Sequence, residues 1–209
     1  LSVTGNISAT GKFAGSLVGL IQGNDVTIDH CQSSVAIASS VNGDGSHGGL
    51  VGLVNIPVKI NNCIFSGSIK GASTNNCGGL VGWINTSGQN TKFSNCLITA
   101  TYTVGAEGSN AVGRNAQGDV KNVYFLNNLG RAPYYGTEQV STEQLKSGYV
   151  AYKLQNGQST QVWGQKINSG NVGDQTPVFS TDANKRVWAS TFRPSIDNSK
   201  VLAVRYCNQ

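Results

Sequence analysis

The sequence predicts an all-β protein: a right-handed parallel β-helix of about four coils, followed by a C-terminal α+β cap. Three observations lead there. A short phrase recurs as Gly48-Gly49-Leu50-Val51-Gly52-Leu53 and Gly78-Gly79-Leu80-Val81-Gly82-Trp83, with an earlier Ala14-Gly15-Ser16-Leu17-Val18-Gly19-Leu20 and a worn Asn110-Ala111-Val112-Gly113-Arg114. Its last glycines, Gly19, Gly52, Gly82 and Gly113, lie 33, 30 and 31 residues apart, a period at which each repeat forms one coil of a solenoid. The 27 glycines against 4 prolines and no methionine, with many Ser, Thr, Asn and Val, suit short strands joined by tight turns. The right-handed sense follows from the preference of parallel crossovers.

A second phrase follows each first one: Ile28-Asp29-His30-Cys31, Ile60-Asn61-Asn62-Cys63, Phe93-Ser94-Asn95-Cys96 and a decayed Val120-Lys121-Asn122-Val123. The segment from Leu1 to Ile7 fits the second half of this phrase, with Leu1 where the cysteines stand. The chain therefore starts in mid-coil and reads either as a piece cut from a longer protein, the favoured reading, or as a mature start whose first coil a partner completes. No charged region followed by an apolar core marks a signal peptide in it, and no apolar run is long enough to span a membrane.

Alternation sets the faces expected within each coil. Leu17, Gly19 and Ile21 point inward, matched by Leu50, Gly52, Val54 and by Leu80, Gly82, Ile84. Val18, Val51, Val81 and Val112, with Leu20, Leu53 and Trp83, then form an outward apolar strip that needs a cover. In the second phrase Ile60 and Cys63 are an odd step apart, so both point inward only if the chain bends at Asn61-Asn62. Asparagine tolerates the left-handed conformation that this bend requires. The bend position reads His30, Asn62, Asn95, Asn122, a column of amides that can bond to one another along the stack. Beyond it Cys63, Phe65, Gly67 and Ile69 alternate inward.

Cys31, Cys63 and Cys96 share one column and are expected as unbridged core thiols, because parallel Cβ vectors on adjacent rungs suit a disulfide poorly. Three thiols in one sheet do not converge on a metal, and neither His30 nor His47 has a helpful spacing. Cys77 and Cys207 fall outside the column, and their pairing stays open. The loops at 39–47 and 86–90 are polar, and Asp44 belongs to a turn, because the other acidic ligands of a calcium loop are missing.

The repeat covers residues 1–126, and residues 127–209 form the cap. Ser141-Thr142-Glu143-Gln144 is a capping-box start for a helix near 142–156 carrying Leu145, Tyr149, Tyr152 and Leu154, weakened at Gly148 and ended by Asn156-Gly157. Short strands follow around 162–167, 176–179, 185–188 and 201–206. This cap is expected to pack over the outward valine strip.

The net charge of +5 comes from lysines and arginines spread singly, with no basic run that would track a phosphate backbone, so nucleic acid is not an expected partner. Polysaccharide-cleaving enzymes need clustered carboxylates. Asp29 is the acid nearest to such a role, yet its column continues as Asn61 and Ser94. Tyr134, Tyr135, Trp163 and Trp188 are the candidate binding residues, because aromatic faces stack on sugar rings. The alternative reading of these rings is core packing.

The Gly-Gly-Leu-Val-Gly phrase followed by an Asn-Cys segment resembles the GLUG motif of bacterial surface proteins and adhesins, over residues 1–126. The tail, with Ser147-Gly148-Tyr149, Trp163-Gly164-Gln165 and Pro177-Val178-Phe179, is similar to a segment that follows such repeats in surface proteins of gut anaerobes. The resemblance implies an exported, extracellular, cell-surface module with an adhesive or spacer role. It implies no cofactor, no metal and no catalysis. The implied partners are a host glycan or surface protein, or neighbouring domains of the same polypeptide. The proteolytic members of that group carry a His-Glu-x-x-His zinc motif, which two lone histidines cannot supply. The rival readings are a glycan-binding module and a polysaccharide-degrading β-helix enzyme.

Overall fold

A computed structural model describes residues 1–115, 119–131, 135–167, 173–192 and 203–208. They form two compact units, residues 1–139 and 140–209. The first is a β-solenoid of about four turns built from three stacked parallel sheets and one two-stranded parallel pair. One, the cysteine sheet, stacks Ser2–Val3, Thr27–Ser33, Lys59–Phe65, Lys92–Ile98, Val120–Phe125 and Thr137–Gln139. The glycine sheet stacks Val18–Ile21, Val51–Val54, Val81–Ile84 and Gly113–Arg114, and a third stacks Asn6–Ala9, Ala36–Ser39, Ser68–Gly71 and Thr101–Val104. Register follows the repeat. Cys31 lies opposite Cys63. Ser2 pairs with Gln32, which sets Leu1 beside Cys31 in the position the sequence assigned to it. The cysteine sheet also runs past residue 126, because Thr137–Gln139 adds a strand against Val123, Tyr124 and Phe125 without any repeat phrase to announce it.

The expected bend is present in every coil. His30, Asn62, Asn95 and Asn122 have φ of 52°, 46°, 52° and 51°, the left-handed region in which asparagine is the least costly residue after glycine. The amide column forms in part: Asn122 Nδ2 donates to Asn95 Oδ1 at 3.1 Å, while Asn62 Nδ2 donates to Asp29 Oδ1 at 3.1 Å. Beside it, Ser94 Oγ donates to Asn61 Oδ1 at 2.7 Å. A second left-handed column, Phe13, Ser46, Asn76 and Gly108, precedes the glycine sheet and was not foreseen.

Inside, Ile60, Cys63, Phe65 and Ile69 are fully buried, as are Phe93, Cys96 and Ile98 on the next coil and Val123 and Phe125 beyond. Leu50, Leu80, Val54 and Ile84 join the same core. So do Val51, Val81 and Val112, which corrects the expected outward strip. Leu50 lies in a bend ahead of the strand, so the two-residue alternation starts afresh at Val51. What remains outside is Leu20, 44% exposed, with Leu53 and Trp83 half-buried. The Phe13 ring lies 6.0 Å from the Trp83 ring, and the Arg114 guanidinium sits 4.9 Å over it. The valine strip therefore gives no ground for docking the C-terminal segment there. The outward apolar residues shielded from water lie on the cysteine sheet instead: Ile64, Leu97 and Tyr124, all buried.

In the second unit the capping box forms as read. Gln144 N–H donates to Ser141 Oγ at 3.2 Å, and Ser141 N–H donates to Gln144 Oε1 at 2.8 Å. The single expected helix is two, α1 (Thr142–Lys146) and α2 (Tyr149–Gln155). Gly148 between them has φ 87°, a left-handed backbone that demands glycine, and Ile167 Cδ1 packs close over it. Trp163–Gly164 pairs antiparallel with Val178–Phe179, and Trp188–Phe192 with Ala203–Cys207. Leu145 and Leu154 are buried with Val150, Ala151, Val162 and Trp163, whereas Tyr149 and Tyr152 stay half-exposed against the Tyr206 ring.

Candidate functional site

The four aromatic residues singled out from the sequence do not make one site. Tyr134 lies outside the described residues. Tyr135 belongs to the first unit and is 98% exposed. Trp163 is fully buried in the second, its ring 4.7 Å from that of Phe179 and its backbone N–H donated to Gln155 Oε1 at 2.9 Å. For Trp163 the core-packing alternative is the right one. Trp188 differs: it is half-exposed, with the Arg186 guanidinium 4.3 Å over its ring. Together with Tyr152, Asn156 and Gln158 these two line a cleft of about 260 Å³ at the end of α2. Gln155, also in its wall, is spent on the backbone of Thr160, Val162 and Trp163. Gln158 Nε2 is likewise given to Leu154 O. The groups left to meet a ligand are the indole, the guanidinium, the Tyr152 ring and the Asn156 amide.

The solenoid holds a buried polar cluster that sequence reasoning missed. His47 was placed in a polar loop but is fully buried. Its Nδ1 accepts the Ala14 N–H at 3.2 Å, so its proton sits on Nε2 and is donated to Ser39 Oγ at 2.7 Å. Ser39 Oγ also accepts the Val41 N–H and lies 3.0 Å from Thr74 Oγ1, which donates to Val41 O. A Ser–His pair suggests nucleophilic catalysis, but this imidazole has its lone pair occupied by a backbone amide and cannot take the serine proton. Burial pushes the His47 pKa down, against the pull of Asp44. The signal was available in the repeat, because Ala14, His47 and Cys77 each directly precede the opening glycine of the phrase and so share a column.

Asp44 is not in a simple turn either: Gly43–Asp44 forms a short parallel strand with Thr74–Asn75. Its carboxylate receives Lys12 and Arg114 at 3.1 Å each and the Ser46 hydroxyl at 2.6 Å. Burial alone would raise its pKa, but the Ser46 hydroxyl, Lys12 and Arg114 together hold it below the ordinary carboxylate range. On the opposite sheet Asp29 Oδ2 lies 2.8 Å from His30 Nδ1, and no further carboxylate follows in its column.

All five cysteines are free thiols. Cys63 and Cys96 are fully buried, each donating to the carbonyl two residues earlier in its own strand. The Cys63 thiol is pushed far above the usual range by its neighbour Cys96 and by burial. Desolvation raises Cys77 to about 11, so neither Cys63 nor Cys77 is a poised nucleophile. Among the described residues no three His, Cys, Asp or Glu side chains gather as a metal ion would need. The described helices are too short and polar to cross a membrane.

The fold thus defines a β-solenoid with a small α+β unit. Comparison of the chain with protein-family models, with curated proteins and with solved structures finds no match.

Proposed function

We propose that this chain is a non-catalytic adhesive or spacer module of an exported bacterial surface protein of the GLUG-repeat type. The observation that supports it most is where the repeated residues go. The glycines, leucines, cysteines and asparagines of the two phrases are spent on the core and on the left-handed bends, and what recurs from coil to coil is stacking, not chemistry. Asp29, the one acid in the repeated corner, faces Asn61 on the next rung and bonds Asn62. Incubation with uronate-rich and neutral polysaccharides, followed by a reducing-end assay, is expected to show no product above a buffer blank. Turnover abolished by Asp29→Ala would replace this reading with an enzymatic one.

A specific observation favours glycan binding as a second reading, namely the half-exposed Trp188 beside Arg186, Tyr152 and Asn156. On a glycan array Trp188→Ala should abolish any sugar binding made through this cleft while leaving the fold intact. Binding that survives the substitution rules this cleft out as the sugar site.

A further inference from the structure

At the corner where each coil leaves the glycine sheet for the cysteine sheet, a cleft of about 270 Å³ opens across three successive coils. Half-buried Val26 and buried Val58 lie at its base, with Pro57 exposed beside them. One side is a register column: Thr27 opposes Lys59, and Lys59 opposes Lys92. Asp25 and Asn90 complete the lining. Parallel rungs lie about 4.8 Å apart, so the two lysine stems run side by side. Like charges directly opposed on neighbouring strands destabilise a sheet unless something neutralises them.

Nothing in the described protein does so. The lysine and arginine ion pairs join Lys12 and Arg114 to Asp44, Lys121 to Asp119 and Lys185 to Asp174, and none includes Lys59 or Lys92. Asp119, just ahead of the next strand and beside Lys92, is turned to Lys121 at 3.1 Å. The backbone around the cleft is already satisfied: Val58 N–H donates to Thr91 Oγ1, Lys59 N–H to Val26 O and Lys92 N–H to Val58 O. The cleft therefore offers a ligand two ammonium groups, an apolar base, and a carboxylate with an amide that can take up hydroxyl groups.

We propose that this cleft binds an acidic sugar unit, with the anionic group between Lys59 and Lys92, the ring against Val26, Val58 and Pro57, and ring hydroxyls donated to Asp25 and Asn90. The inference rests on the adhesive reading and names the chemistry of its ligand. A carboxylate and a sulfate ester present the same anionic oxygens, so both are tested.

Titration calorimetry of the full chain uses three oligosaccharides of equal length: an oligogalacturonate, a sulfated galactan fragment and a neutral galactan fragment. At least one acidic ligand is expected to bind and the neutral one not, with affinity falling as salt is raised. Lys59→Gln and Lys92→Gln should each weaken binding about tenfold, the size of one charge-assisted hydrogen bond. The double substitution should abolish it. Lys70→Gln, which removes an exposed cation on the third sheet, should leave the affinity unchanged. The lysines are exposed, and a thermal melt of each variant no lower than that of the wild type shows that the fold is kept. Failure of both acidic ligands to bind, equal binding of the neutral one, or binding that survives the double substitution overturns the cleft assignment and leaves a non-catalytic adhesive role untouched. Appearance of new reducing ends during titration overturns that role instead.

Discussion

Gly52 and Gly19 occupy the same place in the repeated phrase, yet alanine should act on them with opposite sign. A Cβ on Gly52 would lie 1.8 Å from Phe13 O and 2.6 Å from Gly19 O. Both obstacles are backbone atoms, so no rotamer relieves the clash, and the left-handed bend at Phe13 must move off the sheet. Overpacking of this kind costs about 1–3 kcal/mol. At Gly19 the nearest atom, the same Phe13 O, is 3.6 Å away, an ordinary contact. Neither glycine has a left-handed φ, so alanine is conformationally admissible at both. Gly19→Ala then stabilises by about 0.4–1 kcal/mol, by narrowing the unfolded ensemble. At roughly 2–4 °C per kcal/mol the two variants should melt about 3–16 °C apart by circular dichroism, with the wild type between them. Gly82→Ala, whose Cβ would lie 1.9 Å from Ser46 O, should behave as Gly52→Ala does. If Gly52→Ala melts with or above Gly19→Ala, the bends are not packed on this column and the reasoning fails.

The remaining predictions concern the bends, the buried imidazole and the thiols. Asn62→Ala should cost about 1–2 kcal/mol in urea unfolding because alanine tolerates φ 46° poorly, and Asn62→Gly should recover most of it; equal losses would place the cost in the bond to Asp29 instead. His47 is held neutral, its folded pKa below the ordinary 6.5, so its contribution is present above that pH and drains away as pH falls through the folded value. Unfolding midpoints measured from pH 8 down to pH 4.5 should therefore decline, and His47→Gln should flatten the slope. Asp44, also depressed, adds a second loss below its ordinary 3.8, which Asp44→Asn should remove. A thiol reagent should find Cys31 and Cys207 quickly in the native chain, Cys63, Cys77 and Cys96 only on unfolding, and five thiols in denaturant without reductant. A count that leaves Cys31, Cys63 and Cys96 all blocked would mean that the column is oxidised.

Much of this molecule was legible because its signals are local or periodic. A thirty-residue period in the glycines can only be met by stacking, and stacking in register carries Leu1 to Cys31 and Cys31 to Cys63. The odd step from Ile60 to Cys63 demands a bend whichever residues surround it, and the left-handed φ at four matching positions is its direct consequence. Ser141 and Gln144 satisfy each other's backbone across a single turn, so the helix start was also readable. The second bend column was not, because Phe13, Ser46, Asn76 and Gly108 share no chemistry and are held there by the coils on either side. The faces of Val51 and Val81 were misread because parity does not carry across the bend at Leu50.

Burial of His47 depends on partners 8 and 33 residues away, Ser39 and Ala14, and nothing within its own loop announces it, only the column it shares with Ala14 and Cys77. Trp163 and Trp188 are alike as residues in short strands, and only packing made one a core ring and left the other beside a cleft. Lys59 and Lys92 stood in the sequence as two isolated cations 33 positions apart. Their pairing exists only because the sheet sets one on the rung above the other, since a repeat fixes which residues share a column but not which charges along that column find partners.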